Sequence, residues 1–358
     1  MKILLVIPSL RGGGAERVAS LLSLEWAKTH EVALAVFDSS RMAYEHGGRL
    51  IDLGLPARPG PFGKLWNSMI RVLRLIRLIR SEEPQCIVSF MESANFPAIL
   101  AATCCGRLGA LTASVHGNPS RYPVFYRCLL PIAYRLPKRL VAVSRGVAKT
   151  LIRLGVPQRK VDVIPNPVLL PRSFKAGDKG AGLALCRPCP FVLGVGRLCL
   201  EKGFERLIAA FALLGVVETE LVILGEGPER SHLLGVARGL GIEHRLVLPG
   251  LVPDPAPWYR AAECMVLSSR HEGFGNVIVE AMANACPVVS FDCDFGPREI
   301  IRHGKSGLLV PEGDILALSQ SMARVLGDKT LKWELVRCGI NAAEGYRADR
   351  IAQRWMAA

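Results

Sequence analysis

The chain has 358 residues, half of them apolar, and its 45 Lys and Arg outnumber 31 Asp and Glu for a net charge of +14. That length and apolar share can bury the cores of two domains without help from disulfides. No run of about 18 apolar residues occurs, which excludes a membrane-spanning helix of ordinary length.

From the N-terminus, residues 2–8 read as a buried strand, too short for a signal-peptide core and with no small-residue cleavage site behind it. The protein is therefore expected in the cytoplasm. Gly12-Gly13-Gly14-Ala15-Glu16-Arg17 follows and opens a helix over residues 15–29. Glycines there let the backbone approach a phosphate at a helix start, and a plain strand-to-helix turn is the alternative. A dinucleotide fingerprint would want glycine where Arg17 stands. Asp38, ending a strand at 31–37, is nonetheless placed as a ribose-binding acid would be, so an NAD-dependent enzyme stays open from this half.

A helix over 64–81 spaces Arg71, Arg74 and Arg77 three residues apart, with Leu65, Leu73, Ile76 and Ile79 between and beside them. Then come a strand at 85–90, a helix at 95–107 and a strand at 111–116 that ends on His116. A strand-end histidine can act as a general base, although a lone one is more often packed or solvated. Residues 121–139 mix Arg121, Arg127, Arg135, Lys138 and Arg139 with Tyr122, Phe125, Tyr126, Leu129, Leu130 and Tyr134, before a strand at 139–143 and a helix at 144–155. Residues 1–170 hold 23 Lys and Arg against 10 Asp and Glu, which is +13 of the +14 total. Basic, amphipathic and aromatic segments in a positively charged half suit an anionic membrane surface. Core-packing helices with charged outer faces are the alternative. No nucleic-acid-binding motif accompanies the charge.

Pro165, Pro167, Pro171, Gly177, Gly180, Gly182, Pro188 and Pro190 then fall in one short stretch, as in a linker. Beyond it the alternation resumes, with strands at 191–195, 220–225, 245–248, 264–267, 287–290 and 308–310 and helices at 203–214, 229–240, 276–284 and 314–327. Residues 330–357 read as helical. Apolar strands alternating with helices predict α/β architecture: two Rossmann-like βαβ domains whose ligand sits in a cleft at the carboxyl ends of the strands. The expected division is 1–168, 169–340, and a C-terminal helix over 341–358 able to pack back on the first domain.

Gly196-Arg197 ends the strand at 191–195, and Glu201-Lys202-Gly203 follows. A guanidinium fork and a point charge together suit a diphosphate, and surface charges are the plainer reading. In Glu272-Gly273-Phe274-Gly275-Asn276-Val277-Ile278-Val279-Glu280, two carboxylates bracket a small-residue loop that runs into a helix. Backbone N–H groups there can meet an anion while the carboxylates hold hydroxyls, and a sugar nucleotide offers both. Asp292-Cys293-Asp294 could hold a cation but fits loop chemistry ahead of a helix at Gly296-Pro297-Arg298-Glu299 better. The eleven cysteines are scattered, and Cys186 and Cys189 form the only C-x-x-C pair, with no histidine cluster beside it, as expected of reduced thiols.

In their order and spacing these segments resemble the family 4 retaining glycosyltransferases of GT-B architecture, the group 1 glycosyl transferases. The resemblance rests on Gly12 to Glu16, Val143-Ser144, Asn166-Pro167, Gly196-Arg197, Lys202-Gly203, Gly225-Glu226-Gly227-Pro228, Glu272 to Gly275 with Glu280, and Gly307-Leu308-Leu309-Val310. It implies a first domain facing acceptor and membrane and a second binding a nucleotide-sugar donor. It further implies that Glu280 holds the ribose while Arg197, beside Gly196, and Lys202 bind the diphosphate. Backbone N–H groups of Gly14, with Gly13 beside it, and of Asn276 and Val277 would add to that grip. Glu272 and the Gly273–Gly275 loop with Phe274 would meet the donor sugar, with His116 on its other side. No metal or separate cofactor is implied.

Val88-Ser89-Phe90-Met91-Glu92 and Gly296-Pro297-Arg298-Glu299-Ile300-Ile301 are similar to bacterial enzymes that extend surface or lipid-linked glycans. The branch adding N-acetylgalactosamine from a UDP-sugar to a polyprenyl-diphosphate-linked oligosaccharide is implied most closely, with a polysaccharide acceptor as the variant. Such an enzyme would lie peripherally on the inner face of the cytoplasmic membrane.

Overall fold

The structure, a computed structural model, describes residues 1–56, 61–170, 189–215 and 218–357, and within these the side chains of 61, 62, 64, 65 and 125 are set aside. Of the predicted linker, Pro171, Gly177, Gly180, Gly182 and Pro188 lie outside the described residues, as does Cys186. The chain forms two compact units. One comprises Met1–Pro167 and the chain from Ala348 onward, and the other Val168–Arg347.

The first unit runs β1 (Lys2–Ile7), α1 (Gly14–Trp26), β2 (Glu31–Val36), β3 (Arg49–Asp52), α2 (Pro61–Glu82), β4 (Cys86–Phe90), α3 (Glu92–Cys104), β5 (Leu111–Val115), α4 (Val124–Ala133), β6 (Arg139–Ala142), α5 (Arg145–Arg153) and β7 (Val161–Val163). All seven strands are parallel, in the order β3-β2-β1-β4-β5-β6-β7. Helices cover such a sheet, so its central strands are apolar on both faces: Ile3 through Ile7 are all buried. The order reverses between β1 and β4, and the carboxyl ends of those strands are where a doubly wound sheet receives ligands.

The second unit runs β8 (Phe191–Val195), α6 (Phe204–Ala212), β9 (Glu220–Leu224), α7 (Arg230–Gly239), β10 (Leu246–Gly250), α8 (Ala256–Ala261), β11 (Cys264–Leu267), α9 (Asn276–Ala283), β12 (Val288–Asp292), α10 (Pro297–Ile300), β13 (Leu308–Pro311), α11 (Ile315–Gly327) and α12 (Lys329–Ala343). Its six parallel strands lie in the order β10-β9-β8-β11-β12-β13, so its reversal falls between β8 and β11. A core of Val192, Leu207, Phe211, Ile223, Phe291 and Met322 fills it.

α13 (Ala348–Ala357) returns to the first unit. Its Ile351, Ala352 and Trp355 are buried in that unit's core beside Trp26 and Phe90. Trp26 donates its indole N–H to the Ala352 carbonyl at 3.2 Å, and Arg139 donates to the Trp355 carbonyl at 2.9 Å. A continuous helix from 330 does not form: α12 ends at Ala343, and a single 3₁₀ turn at Glu344–Tyr346 redirects the chain. Among the described residues no helix is long and apolar enough to cross a membrane.

Candidate functional site

The strongest concentration of predicted residues lies at the reversal point of the second sheet. β8 ends and hands the chain to Gly196-Arg197, while its neighbour β11 ends and hands it to Ser268-Ser269. Gly203 brings the two together. It is left-handed, with φ +59, and a Cβ there would sit 2.5 Å from the Ser268 carbonyl oxygen, so glycine alone lets the Leu200–Lys202 turn lie against the end of β11. The Ser268 hydroxyl donates to the Lys202 carbonyl at 3.0 Å, and the Arg270 N–H to the Glu201 carbonyl at 2.9 Å.

Lys202 Nζ therefore reaches Glu272 Oε1 at 2.6 Å, and the Ser269 hydroxyl donates to the same oxygen at 2.7 Å. The lysine side chain is 25% exposed and the glutamate 10%, so the ion pair is screened by water far less than an open surface pair. The lysine side chain keeps a quarter of its surface exposed, and Arg197, in the turn after β8, is exposed. The nearby Glu201 carboxyl is held below its ordinary range, mainly by the Cys199 side chain and its own N–H, with Arg197 and His271 adding charge.

The loop after Glu272 is clamped backbone to backbone. The Glu272 N–H donates to the Asp294 carbonyl at 2.9 Å, and at Gly296, with φ +94, a Cβ would fall 1.8 Å from the Phe274 carbonyl oxygen. Phe274 is buried and meets Tyr346 edge-on, with ring centres 5.5 Å apart. Gly275, in a left-handed conformation, starts α9 without a side-chain cap of its own, and the first amides of α9 belong to Asn276 and Val277. One turn on, Glu280 accepts a hydrogen bond from the buried Tyr259 hydroxyl at 3.2 Å.

Asp292 is occupied otherwise: both its oxygens take nitrogens of Arg298, at 2.8 and 2.7 Å. Among the described residues no group of three or more His, Cys, Asp and Glu is arranged to hold a metal.

In the first unit the glycine turn after β1 serves itself. Glu16 accepts the Gly12 and Gly13 N–H groups at 2.7 and 2.8 Å, while Gly14 begins α1. The Gly13 amide, beside the Gly14 amide expected to face a phosphate, thus already has an acceptor in this structure. Asp38, the candidate ribose acid of a dinucleotide enzyme, pairs with Arg11 and accepts the Ser40 N–H at 3.0 Å. These bonds, those to Ser40 first, hold its carboxyl below the ordinary range.

His116 follows β5. One ring nitrogen, Nε2, lies 2.9 Å from the Ser114 hydroxyl, whereas Nδ1 is buried with no partner. The ring tilts against Phe90 at 5.7 Å. Burial pushes its pKa from 6.5 down to about 3. At neutral pH the imidazole is therefore an uncharged hydrogen-bonding group and a very weak base. Below about 6.5 the unfolded chain takes up a proton that the folded one refuses, so this contribution to stability is complete above that pH and drains as pH falls towards about 3. Urea titrations should show the wild-type midpoint falling faster than that of His116→Gln between pH 7 and pH 4. Parallel curves would contradict the burial argument.

Ser269 and Tyr259 carry no sequence signal of their own, since each acts only through a partner the fold supplies.

Two family models match the chain: "Glycosyltransferase Family 4" over residues 12–170 and "Glycosyl transferases group 1" over residues 189–328. The chain is 31% identical to a lipopolysaccharide core biosynthesis glycosyltransferase of Rhizobium meliloti over 275 residues, covering 76% of this chain and 74% of that protein. It is 27% identical to a Campylobacter jejuni 4-alpha-N-acetylgalactosaminyltransferase named for a diphospho-undecaprenol-linked acceptor, over 92% of both chains. Among solved structures, Anabaena HepE in complex with UDP-glucose superposes with a TM-score of 0.85 at 21% identity, covering 100% of this chain and 98% of that one.

Proposed function

The chain belongs to the family 4, group 1 glycosyltransferases, and we propose that it moves a hexose or N-acetylhexosamine, N-acetylgalactosamine in the first instance, from a UDP-sugar to a lipid-linked or polysaccharide acceptor of bacterial glycan synthesis. The observation that carries this reading is the Lys202–Glu272 pair at the second sheet's reversal point, one short loop ahead of the start of α9.

In this reading Lys202 and Arg197 neutralise the departing diphosphate, and the first N–H groups of α9 add aligned donors where negative charge develops. Glu280, fixed by Tyr259, accepts ribose hydroxyls. Glu272 and the backbone of Gly273–Gly275 meet the donor sugar. Two basic side chains supply the positive charge, so transfer needs no metal. Glu272, already tied to Lys202 and Ser269, serves as a binding group and not a nucleophile, so the acceptor attacks from the face the diphosphate leaves and configuration is retained.

A panel of UDP- and GDP-sugars offered with a polyprenyl-diphosphate-linked oligosaccharide, in EDTA, tests this. UDP release with an α-linked product is expected from a UDP-hexosamine. Silence across the panel, together with tight binding of NAD in a calorimeter, would overturn it.

The acceptor assignment extends to a membrane surface at the cytoplasmic side. α2 exposes Trp66, Met69 and Leu73 beside Arg77 and Arg80, and α4 exposes Val124, Leu129 and Ile132 beside Arg127 and Arg135. Apolar side chains among cations suit anionic headgroups. Flotation with anionic liposomes is expected at low salt and should weaken at high salt, as exposed charges are screened. A protein that stays at the bottom of the gradient at low salt does not fit the proposal.

A further inference from the structure

A polar cluster lies at the carboxyl end of β4, where the order of the first sheet reverses. It centres on Glu92, the first residue of α3, which the donor site in the second unit does not use. Met91, just before it, has φ +71 and ψ 153, a left-handed conformation that a side-chain-bearing residue adopts rarely and at a cost. Strain of this kind persists where the surroundings over-determine it. Here Ser114 holds the Met91 N–H through its carbonyl at 3.4 Å, and Met91's own carbonyl accepts from Asn95 at 2.8 Å.

Asn95 is fully buried and fully employed. It accepts from the Ser89 hydroxyl at 2.7 Å and lies 2.9 Å from the Ser114 carbonyl and 3.0 Å from the Tyr134 hydroxyl. Ser114 in turn meets His116. The ends of β4 and β5 are thus stitched together by side chains within an otherwise apolar sheet. A satisfied buried polar network of this kind rigidifies what it carries.

What it carries is the Glu92 carboxyl. The Tyr122 hydroxyl donates to Glu92 Oε1, and Tyr122 is steadied by the backbone of Gly117, the residue after His116. Among the described residues Tyr122 is the side chain that hydrogen-bonds Glu92, which leaves acceptor capacity on a half-buried carboxyl. Burial raises its pKa, while the Tyr122 bond and a hydrogen bond from Glu92's own backbone N–H work the other way. An acid serving only to favour the first turn of α3 needs neither a buried tyrosine hydroxyl nor a strained residue before it.

We propose that Glu92, positioned by Tyr122, is the seat of an acceptor-glycan hydroxyl, which donates a hydrogen bond to the open side of the carboxyl. This rests on the glycosyltransferase reading above and assigns to it an acceptor-specificity residue in the first unit. The ligand class is a sugar ring with a free hydroxyl, on either a lipid-linked or a polysaccharide acceptor.

Glu92→Gln keeps shape and the Tyr122 contact while removing the charge, and Tyr122→Phe keeps the charge while releasing the carboxyl. Steady-state kinetics with UDP-N-acetylgalactosamine and a short-chain polyprenyl-diphosphate-linked oligosaccharide should show the acceptor KM of Glu92→Gln raised roughly 10- to 100-fold, the worth of one hydrogen bond to a charged group. The KM for donor, acceptor-independent donor hydrolysis and the melting temperature should not move. Tyr122→Phe should show a smaller rise in the same constant. An unchanged acceptor KM in Glu92→Gln, or a donor KM that rises in step with it, overturns the assignment while transfer by wild type upholds the glycosyltransferase reading. A wild-type protein that releases no UDP from any sugar in the panel overturns both.

Discussion

Lys202→Ala is expected to lower transfer from a UDP-sugar by about 10²- to 10³-fold, the usual cost of removing one preorganised group from a developing negative charge. Two effects add. The variant loses the cation that the Leu200–Lys202 turn presents, and it leaves the largely buried Glu272 carboxylate with Ser269 as its remaining hydrogen-bond donor, close to an incoming diphosphate. Replacing Glu272 by Gln in the same chain should therefore recover part of the donor binding lost by Lys202→Ala. Lys202→Arg should recover little, because a planar fork does not fit where a compact ammonium meets one carboxylate oxygen at 2.6 Å. Single-turnover UDP release measures all three, and wild-type turnover in Lys202→Ala would remove Lys202 from the site.

Trp355→Ala should destabilise the first unit by about 3–5 kcal/mol, the range for a buried large aromatic cut to alanine. Trp355 is 5% exposed and packs edge-on to Trp26 at 6.2 Å and against Phe90 at 6.0 Å. Removing α13 altogether should cost more. Ile351 and Ala352 leave the core as well, and the Trp26 indole and Arg139 guanidinium lose their carbonyl acceptors. Urea unfolding followed by tryptophan fluorescence reports this, and a midpoint unchanged on removal of residues 348–358 would mean that the helix packs elsewhere. The ten residues of α13 are far in sequence from the sheet they pack on, yet Ile351, Ala352 and Trp355 are as much part of its core as Val88.

How legible these features are in the sequence follows from the range over which each is specified. Buried parallel strands are apolar on both faces, so β1, β2, β4, β5, β6 and most of the second sheet stand out as short apolar runs. β3 and β7 do not: they are edge strands of four and three residues, Arg49–Asp52 and Val161–Val163, with charges inside them and no buried run to see. α4 reads as a basic-aromatic surface stretch because Pro131 interrupts its helical pattern, although the fold tolerates the proline near the C-terminus of a ten-residue helix.

The site divides in the same way. Arg197, Lys202, Glu272 and Glu280 are visible because glycines and apolar strands stand next to them. Their pairings are not. Lys202 and Glu272 are 70 residues apart, Tyr259 and Glu280 are 21 apart, and Glu92 and Tyr122 are 30 apart. The adjacency of β8 with β11, of α8 with α9, and of β4 with β5 turns those separations into hydrogen bonds. For His116 the sequence leaves a base and a packed residue open, and burial decides for a neutral ring with an unpartnered Nδ1.

Crystals of the protein grown with a UDP-sugar would test the central claim most directly. The account predicts diphosphate oxygens within hydrogen-bonding reach of Lys202 Nζ, the Arg197 guanidinium and the first amides of α9, with the ribose on Glu280. Nucleotide density seated away from these four groups, with the Lys202–Glu272 pair untouched, would contradict it.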